Sequence, residues 1–184
     1  GCHNVNLVTP THFVPQIIAA IAQSSKEGLS IPIVYNTSGY ESLTALKLLE
    51  GIIDIYMPDA KYADNILARK YSGAKKYFDV LKDALREMYR QTGDFKVDKN
   101  GVAISGLLVR HLVLPNNLAG TDQILPWIAQ NISNKTYISL MAQYFPTFRA
   151  ADYPQLSRLI TRKEYQEAKF LLKQCGFENG WLQQ

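Results

Sequence analysis

Ile52-Ile53-Asp54-Ile55-Tyr56-Met57-Pro58-Asp59-Ala60-Lys61 is the stretch on which the fold prediction for this chain depends. Its apolar residues run almost without interruption over the length of a strand. This pattern is typical of a strand covered on both faces, in a parallel sheet flanked by helices. Ligands of such sheets bind beyond the carboxyl ends of the strands. The stretch therefore predicts that Asp59 and Lys61, at its end, belong to a ligand site.

Strand and helix patterns alternate on both sides of this stretch. Strands are predicted at residues 5–8, 31–35, 107–115 and 136–141, in addition to 52–61. Helices are predicted at 14–22, 43–49, 65–71, 77–90, after Thr121 and at 165–174, with a hairpin within 94–104. Short alternation of this kind is the βαβ signature. It predicts a single α/β domain over residues 1–184, with about five parallel strands instead of the eight of a complete barrel.

The composition is that of an ordinary globular domain with a core. Of 184 residues, 47% are hydrophobic and 20% are charged, and the net charge of +4 is spread along the chain. A charge spread in this way does not favour nucleic acid as a partner. No run resembles a membrane span or a signal segment, so a cytoplasmic protein is expected. The two cysteines, Cys2 and Cys175, lie far apart and predict reduced thiols, not a metal site.

Polar side chains collect where the predicted strands end. The set is Thr9, Thr11, His12, Asn36, Thr37, Ser38, Asp59, Lys61, Arg110, His111 and Gln143. A purely structural interpretation is open for several of them, such as a helix-capping turn at 36–39 or a surface ion pair between Asp59 and Lys61. Arg110 and His111 point to opposite faces of one strand, so one of them is expected under a helix.

The chemistry of this set favours binding over hydrolysis. It offers cations for a carboxylate, and amides and hydroxyls for sugar hydroxyl groups. No nucleophile elbow, glycine-rich phosphate loop or pair of carboxylates accompanies it. The sequence therefore predicts a zwitterionic, nucleoside-like ligand.

Five segments, taken in order, resemble the radical S-adenosylmethionine (SAM) proteins. They are VNLVTPTHFVP (5–15), IPIVYNTSGYESL (31–43), DIYMPDAKY (54–62), GLLVRHLVLPNNLAGT (106–121) and TYISLMAQYFP (136–146). The group they resemble most is that of the pyruvate formate-lyase activating enzyme. The resemblance implies a partial barrel of βα units that binds SAM at the open iron of a 4Fe–4S cluster. It also implies reductive cleavage of SAM to a 5′-deoxyadenosyl radical, which abstracts hydrogen from a glycine of a partner enzyme.

Position by position, the resemblance assigns SAM contacts at the first two strand ends. Thr9-Pro10-Thr11 stands where the family has a glycine-glycine-glutamate stretch that meets the methionyl amine. Because this chain departs from that pattern, the amine contact is expected from backbone carbonyls or threonine hydroxyls. Asn36, with Ser38 beside it, stands near the family's ribose-binding acidic residue, and an amide can bind hydroxyl groups in its place.

The later strand ends complete the implied SAM site. Asp59 and Lys61 resemble the family's Asp-x-Lys pair, in which Lys61 would reach the methionyl carboxylate as a point charge. Arg110 and Leu112 match positions that border the nucleoside, and Gln143 stands where a polar residue closes the far side.

The family's CxxxCxxC motif, which holds the 4Fe–4S cluster, is absent from residues 1–184. Since two cysteines cannot supply three thiolates, the first barrel strand and the cluster loop are expected upstream of Gly1. Implied partners are a glycyl radical enzyme and an electron donor such as flavodoxin. An edge-paired homodimer of this piece is also expected, because Val5–Val8 would be a sheet edge.

Two other functions fit the same sequence. A cluster-free α/β binding or assembly module would use the edge at Val5–Val8 for a partner strand. A barrel lyase would use Lys61 as a Schiff-base amine, although the sequence suggests no group to take up the carbon acid's proton.

Overall fold

Seven strands form one sheet, and six of them run parallel. The computed structural model describes residues 1–183. The strands are β1 (Val5–Val8), β2 (Ile33–Thr37), β3 (Ile55–Ala60), β4 (Lys96–Val97), β5 (Ala103–Leu112), β6 (Tyr137–Met141) and β7 (Gly180–Leu182). The helices are α1 (Val14–Lys26), α2 (Leu43–Leu48), α3 (Asn65–Ser72), α4 (Tyr77–Thr92), α5 (Thr121–Asn131) and α6 (Arg162–Gln174). The parallel strands follow the order β1-β2-β3-β5-β6-β7, and β4 pairs antiparallel with β5. The predicted parallel α/β fold of the partial-barrel type is confirmed.

Some predicted boundaries were wrong for local reasons. The strand at β3 starts at Ile55 instead of Ile52, because the amides of Ile52 and Ile53 donate to the carbonyl of Leu49 in the turn after α2. The count of about five parallel strands was one too low. The missed strand, β7, is three exposed residues long and carries no apolar alternation that could have revealed it.

Every βαβ crossover in the sheet advances in the same direction. Since such crossovers are right-handed, a sheet whose spatial order follows its chain order places all its crossover helices on one face. Buried side chains from alternate strand positions fill that face: Tyr35, Tyr56, Leu107, Val109, Ile138 and Leu140. The hydroxyl of Tyr56 donates to Gln91 on α4 at 2.6 Å, which fixes the helix layer on the sheet.

We call the opposite side of the sheet the helix-free face. Its amino half is buried, as at Val34, Ile55 and Leu108, whereas Met57 and Asp59 in its carboxyl half are partly exposed. The prediction that the strand at 52–61 is covered on both faces therefore holds at Ile55 and was wrong at Met57 and Asp59. The exposed half of this face carries the charged strand-end residues Asp59 and Arg110.

The hairpin between α4 and β5 depends on Gly106. This glycine has φ of 112°, and a Cβ there would lie 2.4 Å from the Cα of Phe95 and 2.4 Å from the carbonyl oxygen of Asp94. The close approach brings the Phe95 ring to 4.8 Å from that of Tyr137, which in turn contacts Trp181 at 5.1 Å. The hairpin thus joins an aromatic row at the amino end of the sheet.

Replacing Gly106 with alanine should destabilise the protein by about 3 kcal/mol, since it adds a backbone collision to an unfavourable φ. The matched control is Gly28→Ala, where φ is 99° and nothing lies within 4 Å of the added Cβ. That control should cost about 1 kcal/mol. Urea denaturation measures both, and equal losses would show that the close approach of Phe95 contributes nothing.

Candidate functional site

The centre of the candidate site is the Asp59 carboxylate, which is shared by two cations. Asp59 and Arg110 are register neighbours on β3 and β5. Arg110 Nε and Nη2 lie 2.7 and 2.6 Å from Asp59 Oδ1, and Lys61 Nζ lies 3.3 Å from Oδ2. The side chains of Asp59, Arg110 and Lys61 are 14%, 28% and 42% exposed. The group is more than a surface ion pair, and its formal charge of +1 favours an anionic ligand group.

Two further predicted residues lie on the same face as this charged group. Asn36 pairs in register with Met57, two residues before Asp59, and Leu112 is two residues beyond Arg110. Register also adds Ser139, which neighbours Arg110, and Met141, which neighbours Leu112. Sequence reasoning missed these two, although the alternation of Ser139 and Met141 with buried Leu140 was a usable signal.

The remaining predicted residues are less closely joined to the charged group. The amide of Thr9 donates to the carbonyl of Asn36 at 2.8 Å, which places the turn after β1 beside the end of β2. Pro10 is buried in that turn, and Ser38 is partly buried after β2. Gln143 is exposed beyond β6 and accepts a hydrogen bond from Gln183 at 2.8 Å.

A buried carboxylate that sequence reasoning missed lies behind β2. Glu41 is almost fully buried and accepts hydrogen bonds from the hydroxyls of Thr11 at 2.5 Å, Tyr35 at 3.3 Å and Thr37. Tyr35 and Thr37 belong to the helix-covered side of β2, so this cluster faces away from the charged group. Because Thr11 is thirty residues from Glu41 in sequence, no local pattern indicated the contact.

His111 takes the other side of β5, as the alternation predicted. It is fully buried, with Nδ1 2.7 Å from the carbonyl oxygen of Ala60 and Nε2 2.9 Å from Thr121 Oγ1, at the start of α5. A carbonyl only accepts, so Nδ1 carries the proton and Nε2 accepts from the threonine. Burial lowers the pKa of His111 to about 4, which keeps the ring neutral.

A 4Fe–4S cluster does not fit the side chains that this chain supplies. Across residues 1–183, no group of three or more His, Cys, Asp or Glu is placed to hold a metal ion. Cys2 is exposed, and burial raises the pKa of Cys175, which disfavours the thiolate that such clusters require.

Within residues 1–183, no helix has the length and apolar character needed to cross a bilayer.

Sequence comparison finds similarity to a longer protein. No protein-family model matches the chain. It is similar to an uncharacterized protein of Methanocaldococcus jannaschii, MJ0674, at 31% identity over 180 residues, which cover 95% of this chain and 47% of that protein. The chain therefore spans about half the length of this relative.

Among solved structures, the chain is similar to a domain of pyruvate-formate lyase-activating enzyme from Bacteroides vulgatus. The TM-score is 0.66 with 98% of each chain covered, and the sequence identity is 10%. At this identity the likeness concerns the backbone architecture, which is a parallel α/β fold with helices flanking the sheet.

The buried, neutral His111 should make the protein less stable as the pH falls from 6.5 to about 4. The unfolded chain takes up a proton at this residue near its ordinary pKa of 6.5, whereas the folded chain does not until about 4. Over the whole window the loss approaches about 3 kcal/mol. Urea denaturation between pH 6.5 and 4.5 measures most of it and stays above the titration of most carboxylates.

His111→Gln supplies an amide donor that does not titrate, so its stability should depend less steeply on pH in this window. The control is His12→Gln, which removes an exposed histidine and should leave the slope unchanged. A slope that is the same in all three proteins would refute the assignment of this pH dependence to His111.

Proposed function

We propose that this chain is the SAM-binding part of a radical SAM enzyme of the activating type. The observation that carries the proposal is the Asp59–Lys61–Arg110 group, at the carboxyl ends of adjacent parallel strands and on the helix-free face. The backbone likeness to a domain of pyruvate-formate lyase-activating enzyme supports the same conclusion. The donor set also fits the ligand, because SAM presents a carboxylate, an ammonium, two ribose hydroxyls and an adenine.

Each end of the ligand has a complementary group on this face. In the proposed mode, Lys61 binds the methionyl carboxylate, Arg110 borders the nucleoside, and Asp59 holds both cations in place. Asn36 and Ser38 bind the ribose hydroxyls. Leu112 borders the adenine, and Gln143 closes the far side.

In the proposed mode, the turn after β1 binds the ammonium group of the ligand. Thr11 donates its hydroxyl to Glu41 on the helix-covered side, so we assign the ammonium to the backbone carbonyls of this turn or to the Thr9 hydroxyl. Carbonyl groups suit this task, since each retains lone pairs that can accept from an ammonium.

A 4Fe–4S cluster, if present, would be held by other residues and would provide one-electron reduction of SAM. In this proposal the cluster ligands are cysteines that residues 1–184 do not supply. The hydrogen donor is a glycine of a partner protein, and an electron donor such as flavodoxin supplies the reductant.

The proposal predicts that the product of the complete reading frame, reconstituted anaerobically with iron and sulfide, is brown. With a strong reductant it should release 5′-deoxyadenosine and methionine from SAM in equal amounts, as measured by chromatography. A colourless reconstituted protein that leaves SAM intact would overturn the proposal.

Within the same protein, Lys61→Met should weaken SAM binding about tenfold, because it removes one charged contact to the carboxylate. The matched control is Lys163→Met, whose ammonium lies 3.9 Å from Glu167 on the exposed face of α6. Equilibrium dialysis with labelled SAM measures the Kd of each protein. Equal Kd values for the two variants would contradict the role given to Lys61.

One observation favours a second candidate function, a cluster-free binding module. In the described part of the chain, β1 lies at one end of the sheet and pairs with β2 alone. Such an edge can accept a partner strand. The structure gives less support to a Schiff-base lyase, because Lys61 is partly exposed and ion-paired, whereas the amine of such a lysine is commonly activated by desolvation in an apolar pocket.

A further inference from the structure

The hydroxyl of Tyr77 joins three backbone groups at the ends of β2 and β3. Tyr77 is the first residue of α4, and its side chain is buried. Its oxygen lies 2.9 Å from the carbonyl oxygen of Ser38 and 2.9 Å from that of Asp59, and it accepts from the amide of Lys61 at 3.1 Å. Two of these backbone groups belong to the charged residues of the candidate site.

These contacts begin where the strand ladder stops. The last register pair between β2 and β3 is Thr37 with Pro58, one residue before Ser38 and Asp59. Beyond that point the buried backbone groups need another partner, since an unpaired polar group away from water is costly. A phenol has one proton to share between the two carbonyls and lone pairs for the Lys61 amide, so Tyr77 meets all three.

Two aromatic neighbours fix the ring that carries this hydroxyl. Tyr40 stacks on Tyr77 with ring centroids 6.0 Å apart, and Tyr62 contacts it edge-on at 5.9 Å. Burial raises the pKa of Tyr77, so the hydroxyl keeps the proton that it donates. The hydroxyl therefore keeps a fixed position, and its hydrogen bonds hold the ends of β2 and β3 in place.

We propose that Tyr77 is a positioning residue for the ligand site: through the backbone of Asp59 and Lys61 it sets where their carboxylate and ammonium lie, and so sets the affinity for a zwitterionic amino-acid ligand. The inference rests on the proposed function, because it takes SAM as that ligand. Binding groups must be held within about 0.5 Å of their productive positions, so small shifts of these two backbone groups change affinity.

Tyr77→Phe tests this role with two measurements on the product of the complete reading frame. Phenylalanine keeps the ring and removes the acceptor, so hydrogen exchange at the Lys61 amide should become about tenfold faster, and the Kd for SAM should rise about tenfold. The matched control is Tyr62→Phe, which also removes a buried phenol hydroxyl, one that contacts Ser72 at 3.0 Å. In the control, Lys61 exchange and the Kd should change less than about twofold.

The two measurements separate failure of this inference from failure of the proposed function. If the unsubstituted protein binds SAM and Tyr77→Phe binds it equally well, the positioning role is wrong and the SAM assignment stands. If the unsubstituted protein does not bind SAM, the proposed function is wrong, and the positioning role for that ligand falls with it, whatever the Lys61 exchange shows.

A second variant covers the case in which Tyr77→Phe does not fold. Tyr40→Leu removes the stacked ring from an exposed position and leaves the Tyr77 hydroxyl in place. It should shift Lys61 exchange and the Kd in the same direction, by about threefold. Tyr40→Phe, which keeps the ring, is its control, and unchanged values in Tyr40→Leu would overturn the positioning role.

Discussion

The handedness of the βαβ crossover is the constraint on which the rest of this structure depends. Six parallel strands that follow one another in space must place their crossover helices on one face, because each crossover turns the same way. The core then forms between helices and sheet, around residues such as Tyr35 and Tyr56. The other face is buried in its amino half, as at Val34 and Ile55, whereas its carboxyl half carries charged side chains.

A partly buried carboxylate needs compensation for the water it loses, and at Asp59 two cations provide it. Arg110 approaches from the neighbouring strand, whereas Lys61 lies two residues along the same chain, so the sheet fixes the first contact and the loop fixes the second. In the proposed site, this excess positive charge would pair with one ligand carboxylate. A net charge of +1 on the group favours a zwitterion over a phosphate, because a phosphate carries more negative charge and usually binds at backbone amide groups.

Patterns of neighbouring residues in the sequence were enough to predict the main strands and a helix cap. The strands around Leu7, Tyr56 and Val109 followed from apolar runs, and the capping box of Thr161 and Glu164 followed from spacing and is present. Contacts between distant residues could not be predicted this way: Glu41 meets Thr11 thirty positions away, and Tyr77 meets Ser38 thirty-nine positions away. These long-range contacts were therefore missed, whereas Asp59 and Lys61 were predicted from their place at a strand end, and the structure pairs them.

The likeness to a solved structure is informative about the backbone fold and much less informative about ligand binding. A parallel sheet needs only the right pattern of apolar side chains, so its backbone can persist at 10% identity, as it does here. A ligand needs particular atoms in particular places. At the turn after β1 this chain has Thr9, Pro10 and Thr11, and the carboxylate that meets this turn, Glu41, binds the Thr11 hydroxyl on the helix-covered side. In the proposed site, an ammonium at the helix-free face would then be bound by backbone carbonyls or by the Thr9 hydroxyl. The proposed SAM site thus binds the amine without a carboxylate at this turn.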